Sequence, residues 1–162
     1  MTTVYNQGAT SQLQNHTYGA AVLHRTQRHI ITFEKPDDTA DASVFRLGSF
    51  STSLIPCKVV FMCDAIAGLT SVDLGFYKRD GGAVLDKDAL MAAQDVHAGT
   101  RTLDGMGAVD ISNLGKTIAD LLAATLSQTA QQQPGEVDLA ITMNTAGTAA
   151  GTITVMIDFM AN

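Results

Sequence analysis

The sequence has few charged residues, few aromatic residues and only two cysteines among its 162 positions. Charged residues make up 16% of the chain, and 10 basic residues against 16 acidic ones give a formal net charge of −6. A protein that binds nucleic acid nonspecifically needs clustered cations to displace the counterions of the phosphates. The excess of acid therefore argues against a nucleic-acid partner.

Long apolar runs are also missing. No stretch approaches the ~20 apolar residues that a membrane-spanning helix needs. The first residues have neither a basic segment nor an apolar core, so we expect no secretory signal and no membrane partner. The two cysteines, Cys57 and Cys63, would lie about 20 Å apart on one strand, which is too far for a disulfide. We expect both to be reduced and buried, as suits a reducing cytoplasm.

Apolar and small residues are abundant instead. Hydrophobic residues make up 46% of the chain, which excludes a typical disordered segment. The length predicts one domain. Because alanine, threonine, glycine and serine replace charged residues, much of the surface must be made of small side chains. Surfaces of this kind often form contacts with other proteins.

The N-terminal residues differ from the rest of the chain in charge. Residues 1–33 contain two arginines and no acid, whereas no Lys or Arg follows Lys116. We expect residues 1–27 to form an extended arm and residues 28–162 to form a single domain. A frayed terminus is the alternative. If the arm docks on a partner and orders there, the candidate contact residues are Tyr5, Leu13, Tyr18 and Arg25.

Several segments alternate apolar and polar residues with the two-residue period of a β-strand. In the second of them, Phe45 and Leu47 are expected to face the core. The last two are separated by a turn-like run and predict a β-hairpin. The segments are 28–35, 44–49, 55–66, 72–77, 136–143 and 152–159.

One helix is predicted at about 113–128, with Ser112 or Asn113 as its N-cap and Leu114 on its apolar face. Residues 86–96 are expected to form a short helix or turn, and 97–110 a loop. No βαβ rhythm is present. The pattern predicts a mainly β protein, an antiparallel β-sandwich of jelly-roll type with one inserted α-helix.

No motif indicates catalysis. The run LGKT at 114–117 ends like a phosphate-binding loop, but Asp110 stands where that loop needs a glycine. Asp86 and Asp88 lack the glycine and distal glutamate of a calcium loop. His24 and His29 would face opposite sides of a strand, which does not suit one zinc ion. We therefore expect no enzyme activity, no cofactor and no metal.

The order of motifs from residue 43 to 159 resembles the jelly-roll decoration, or cement, proteins of tailed bacteriophage capsids. The segment VDLGFY, a charged turn with two glycines and the segment AVLD precede a helix marked by GK and a final pair of strands. The positions that carry the resemblance are Asp73, Gly75, Tyr77, Gly81, Gly82, Val84, Asp86, Gly115, Lys116 and Gly151.

The resemblance implies a structural protein, made in the bacterial cytoplasm, that binds the outside of the phage head. Its partner would be the major capsid protein, and it would form a homo-oligomer, with a dimer favoured and a trimer possible. Two other functions stay open: an adaptor at the tail or fibre base, and a carbohydrate-binding β-sandwich module. The absence of Trp and the presence of only three Tyr weaken the last, because sugar rings usually stack on aromatic side chains.

Overall fold

The computed structural model describes residues 4–6, 10–12, 26–37, 39–97, 101–104, 113–127, 129 and 133–161. These residues form ten strands and one helix. The strands are β1 (Val4–Asn6), β2 (Thr10–Gln12), β3 (Thr26–Lys35), β4 (Ser43–Ser51), β5 (Ile55–Cys63), β6 (Val72–Lys78), β7 (Val84–Gln94), β8 (Arg101–Asp104), β9 (Glu136–Met143) and β10 (Gly151–Met160), and the helix is α1 (Ile118–Leu126).

The strands form two five-stranded sheets. The first has the order β1-β4-β9-β6-β7, and the second has the order β2-β3-β10-β5-β8. Strands β3 to β10 pair antiparallel in a nested series, β3 with β10, β4 with β9, β5 with β8 and β6 with β7. This is a long hairpin rolled into two sheets, which is the topology of an eight-stranded jelly roll. The predicted fold class is confirmed.

The core lies between the two sheets. Phe45 and Leu47 are fully buried in it, as the alternation predicted. The second sheet contributes inward-facing residues such as Phe61 and Val155. Removing a side chain of this size from water stabilises the fold by about 1.5–3 kcal/mol. Because the apolar residues recur at every second position, they determine which faces of the two sheets pack together.

The predicted hairpin of the last two strands is wrong. Both strands exist, but β9 lies in the first sheet between β4 and β6, and β10 lies in the second sheet between β3 and β5. The intervening residues cross from one sheet to the other. Buried Lys35 holds this crossover, because its Nζ donates to the carbonyl oxygens of Gly147 and Ala149 at 3.2 and 2.7 Å.

Residues 86–96 do not form the predicted helix or turn, because most of them belong to β7. These residues favour a helical conformation, but their pairing with β6 holds them in an extended one. The register jumps from Phe76 opposite Asp86 to Leu74 opposite Met91. The four β7 residues between these positions therefore form a bulge beside β6.

The helix is shorter than predicted and starts later. Its N-cap is Thr117, whose Oγ1 accepts a hydrogen bond from the Asp120 backbone N–H at 3.1 Å. Ser112 lies outside the described residues, and Asn113 precedes the helix by several residues. Leu114, predicted on the apolar face, is outside the helix and 50% exposed.

The two cysteines are free thiols with different exposures. Cys63 is buried, as predicted, but Cys57 is exposed. The ladder between β5 and β10 pairs Lys58 with Asp158 and then Pro56 with Phe159. Cys57 is the extra residue of this bulge, so the alternation that would have placed it in the core is interrupted.

Gly75 lies where the backbone of β7 packs directly against β6. A Cβ at this position would overlap the Asp86 carbonyl oxygen and the carbonyl carbon of Lys87. We expect Gly75→Ala to lower the free energy of unfolding by about 1–3 kcal/mol, because the backbone must move apart. A Cβ at Gly135 would meet no atom within 4 Å, so Gly135→Ala is the control. Equal urea midpoints for the two variants would contradict this expectation.

Candidate interaction surface

Of the four predicted contact residues, one lies in the part of the chain that the structure describes. Tyr5 lies in β1, which pairs parallel with β4 so that Tyr5 is opposite Phe45. Leu13, Tyr18 and Arg25 lie outside the described residues. The division into an arm at 1–27 and a body at 28–162 therefore stays a prediction.

The described N-terminal segments are edge strands of both sheets. β1 borders β4 in the first sheet, and β2 borders β3 in the second, with Thr10 opposite Ile30. β3 and β4 are consecutive in the chain, so both segments lie along the same side of the sandwich. Short strands at this position cover backbone groups that would otherwise be open to pairing with other chains.

No metal site is found where the structure describes the chain: no three His, Cys, Asp or Glu side chains are grouped to hold an ion. Within the same residues, no helix is long and apolar enough to cross a membrane. Of the LGKT run, Lys116 donates to Asn113 Oδ1 at 2.9 Å, and Asp110 lies outside the described residues.

A buried ion pair lies on the outer side of the first sheet. Arg46 Nη1 is 2.6 Å from Asp138 Oδ2, and the two side chains are only 7% and 8% exposed. Arg46 also donates to the carbonyl oxygens of Lys78 and Gly82, at 2.9 and 2.8 Å. Asp138 accepts a hydrogen bond from Ser49 Oγ at 2.6 Å. This network ties β4 and β9 to the turn between β6 and β7.

A group of carboxylates lies beside the β7 bulge. Asp73 belongs to this group, and its Oδ2 is 3.1 Å from Lys87 Nζ. The pKa of Asp88 is raised, first by its hydrogen bond with Asp86, then by burial and by the charges of Asp86 and Asp73. Asp88 therefore gains a proton more readily in the folded protein than in the unfolded chain.

This raised pKa predicts a pH-dependent stability. A carboxyl group whose pKa is higher in the folded state than in the unfolded chain stabilises the fold at low pH. This contribution to the free energy of unfolding falls as the pH rises from the ordinary pKa of 3.8 through the pKa of the folded state. We expect Asp88→Asn to be more stable than the parent protein at pH 7, with the difference vanishing below about pH 4. Thermal melts across this range test it, and a gain of the same size at every pH would contradict it.

The outer face of the second sheet is built from β3, β10 and β5, whose alternate residues point away from the core. The ladder aligns these residues in four rows across the strands. The rows are Arg28, Asp158 and Lys58; Ile30, Met156 and Val60; Thr32, Thr154 and Met62; and Glu34, Thr152 and Asp64.

The first row is held by a bidentate ion pair. Arg28 Nε and Nη2 donate to the two carboxylate oxygens of Asp158 at 2.7 and 2.8 Å. These hydrogen bonds are the main reason that the pKa of Asp158 is lowered; the charges of Arg28 and Lys58 act in the same direction, and burial opposes them. The ion pair of Arg28 and Asp158 therefore stabilises the fold at pH values above the ordinary carboxyl pKa. This stabilisation is lost as the pH falls through the lowered pKa of Asp158.

Sequence reasoning missed both this face and the buried pair of Arg46 and Asp138. The alternation of strands showed which residues leave the core, but it did not show which strands are neighbours. Arg46 and Asp138 are separated by 92 residues in the chain. Only the nested pairing of the strands brings them together.

The fold of this protein is also found in proteins of known structure. No protein-family model matches the sequence, and no curated protein matches it. Among solved structures, a chain described as "Capsid of Ralstonia phage GP4" is similar with a TM-score of 0.62 and 11% identity, over 99% of both chains. A chain of the "Cyanophage Pam1 capsid asymmetric unit" gives 0.58 and 12%, over 93% of this chain and 95% of the other. The protein therefore shares its fold with chains from two phage capsids.

Proposed function

We propose that this protein is a structural protein of a phage virion that binds the outside of the head and stabilises the lattice of the major capsid protein. It is made in the bacterial cytoplasm and assembles as a homo-oligomer, with a dimer favoured over a trimer. It has no enzymatic role. The observation that carries the proposal is the match over 99% of both chains to a chain from the Ralstonia phage GP4 capsid.

The composition suits a protein that works on a repeating surface. Many weak contacts on one lattice act together through their high effective concentration. Long charged side chains lose rotamer freedom when they are immobilised, and this chain contains only 16% charged residues. Its net charge of −6 also gives it no attraction to packaged DNA.

A binding experiment with heads that lack the protein tests the proposal. Purified protein is added to such heads, and the heads are then sedimented and heated. We expect saturable co-sedimentation and a higher temperature of DNA release. Heads that already carry a full complement are the control and should bind no more. Absence of both binding and stabilisation would contradict the proposal.

A further inference from the structure

We propose that the outer face of the second sheet docks a second copy of this chain, face to face, about a two-fold axis that lies in the interface and runs across the strands. The inference specifies the homo-oligomer of the proposed function. Its test in solution requires no capsid, so the two proposals can fail separately.

The centre of this face is apolar and partly exposed. Ile30 is 37% exposed, and Met156 and Val60 stand beside it in the same row with part of their surface open. The next row adds Met62, together with two threonines whose hydroxyls lie 2.9 Å apart. A continuous apolar centre with a polar border is the usual composition of a protein–protein interface.

The two ends of the face carry opposite charge. Arg28 and Lys58 flank Asp158 in the row at one end, which leaves one excess positive charge. Glu34 and Asp64 flank Thr152 at the other end, with no cation in the row. Lys58, Glu34 and Asp64 are all exposed, so their charges are available to a partner.

This pattern complements itself under one rotation. A two-fold axis between the second and third rows keeps each strand opposite its own copy but reverses its direction. The two central rows then face each other. Arg28 faces Glu34 of the second copy on β3, and Lys58 faces Asp64 of the second copy on β5. Each contact occurs twice, as an isologous interface requires.

The size of the face fits a dimer. Strands about 4.8 Å apart and alternate residues about 6.8 Å apart give the three long strands about 400 Å² over four rows. The shorter strands β2 and β8, of three and four residues, widen the face to about 500 Å². Two copies would therefore bury about 1,000 Å², the smallest area expected of a specific interface. We expect a dimer that dissociates on dilution.

Sedimentation equilibrium of the full chain over a range of concentrations tests this interface. We expect a monomer–dimer equilibrium, and we expect Met156→Glu to weaken it at least about tenfold because the new charge lies at the centre. Val84→Glu is the control, because Val84 is 52% exposed on β7 in the other sheet. Thermal melts of both variants show whether they remain folded.

Charge exchange tests the geometry without touching the apolar centre. Lys58→Glu places two acid pairs in its own homodimer, and Asp64→Lys places two basic pairs in its own. In a mixed dimer of these two variants, both pairs are of opposite charge. We expect the mixed dimer to be favoured about tenfold over either homodimer. Four results would each overturn the proposal. The protein could be a monomer at all concentrations or a trimer. It could also form a dimer that Met156→Glu leaves unchanged, or the two charge variants could show no preference for the mixed dimer.

Discussion

Replacing Arg46 with methionine is expected to lower the free energy of unfolding by about 3–5 kcal/mol. The substitution leaves the Asp138 carboxylate buried without its cation and removes the donors from the carbonyl oxygens of Lys78 and Gly82. The Ser49 hydroxyl remains as a donor to Asp138, but one neutral hydrogen bond does not compensate a buried charge. Urea unfolding measures the loss.

The chain offers a matched control for this variant. Arg79 pairs with Glu136, again joining the β6–β7 turn to β9, but both side chains are more than half exposed. Because exposed ion pairs contribute about 0–1 kcal/mol, Arg79→Met should leave the protein almost as stable as before. If Arg46→Met and Arg79→Met lower the free energy of unfolding by similar amounts, burial of the ion pair between Arg46 and Asp138 does not determine how much it stabilises the protein.

Deleting residues 1–19 is expected to abolish binding to the phage head while the body stays folded. The deletion removes three of the four proposed contact residues, Tyr5, Leu13 and Tyr18, together with β1 and β2. All four nested strand pairs of the jelly roll remain, so the core between the sheets is preserved. Because we propose that the arm contacts the head, its loss would remove a contact that every copy repeats across the lattice.

Two measurements separate docking from folding in this deletion. Circular dichroism and a thermal melt should show a folded β protein with a modestly lower midpoint, since only edge strands are lost. Co-sedimentation with heads should fall to background. If the truncated protein binds with the affinity of the full chain, the arm does not make the contact, and the sandwich body must.

The sequence predicted the architecture better than the connections. Strands β3, β4, β5, β6, β9 and β10 were all predicted, because each alternates with period 2 or is rich in β-branched residues. The hairpin of β9 and β10 was wrong because the pattern of a strand does not identify its neighbour. Pairs such as β3 with β10 join the two ends of the domain, and a local window does not reach across that distance.

The remaining errors have local physical causes. Residues 86–96 contain good helix formers, but the unpaired edge of β6 determined their conformation. A single extra residue, Cys57, reversed the expected burial of its own side chain. The candidate surface was also beyond sequence reasoning, because its four rows exist only once β10 is known to lie between β3 and β5.

Electron cryomicroscopy of phage heads with and without the protein is the most direct test of the central proposal. We expect additional density for a jelly-roll body on the outer surface, repeated across the whole lattice and absent when the protein is omitted. Density confined to the tail or to a single vertex would identify an adaptor instead. Such a result, or no density on the virion at all, would contradict a role in stabilising the capsid.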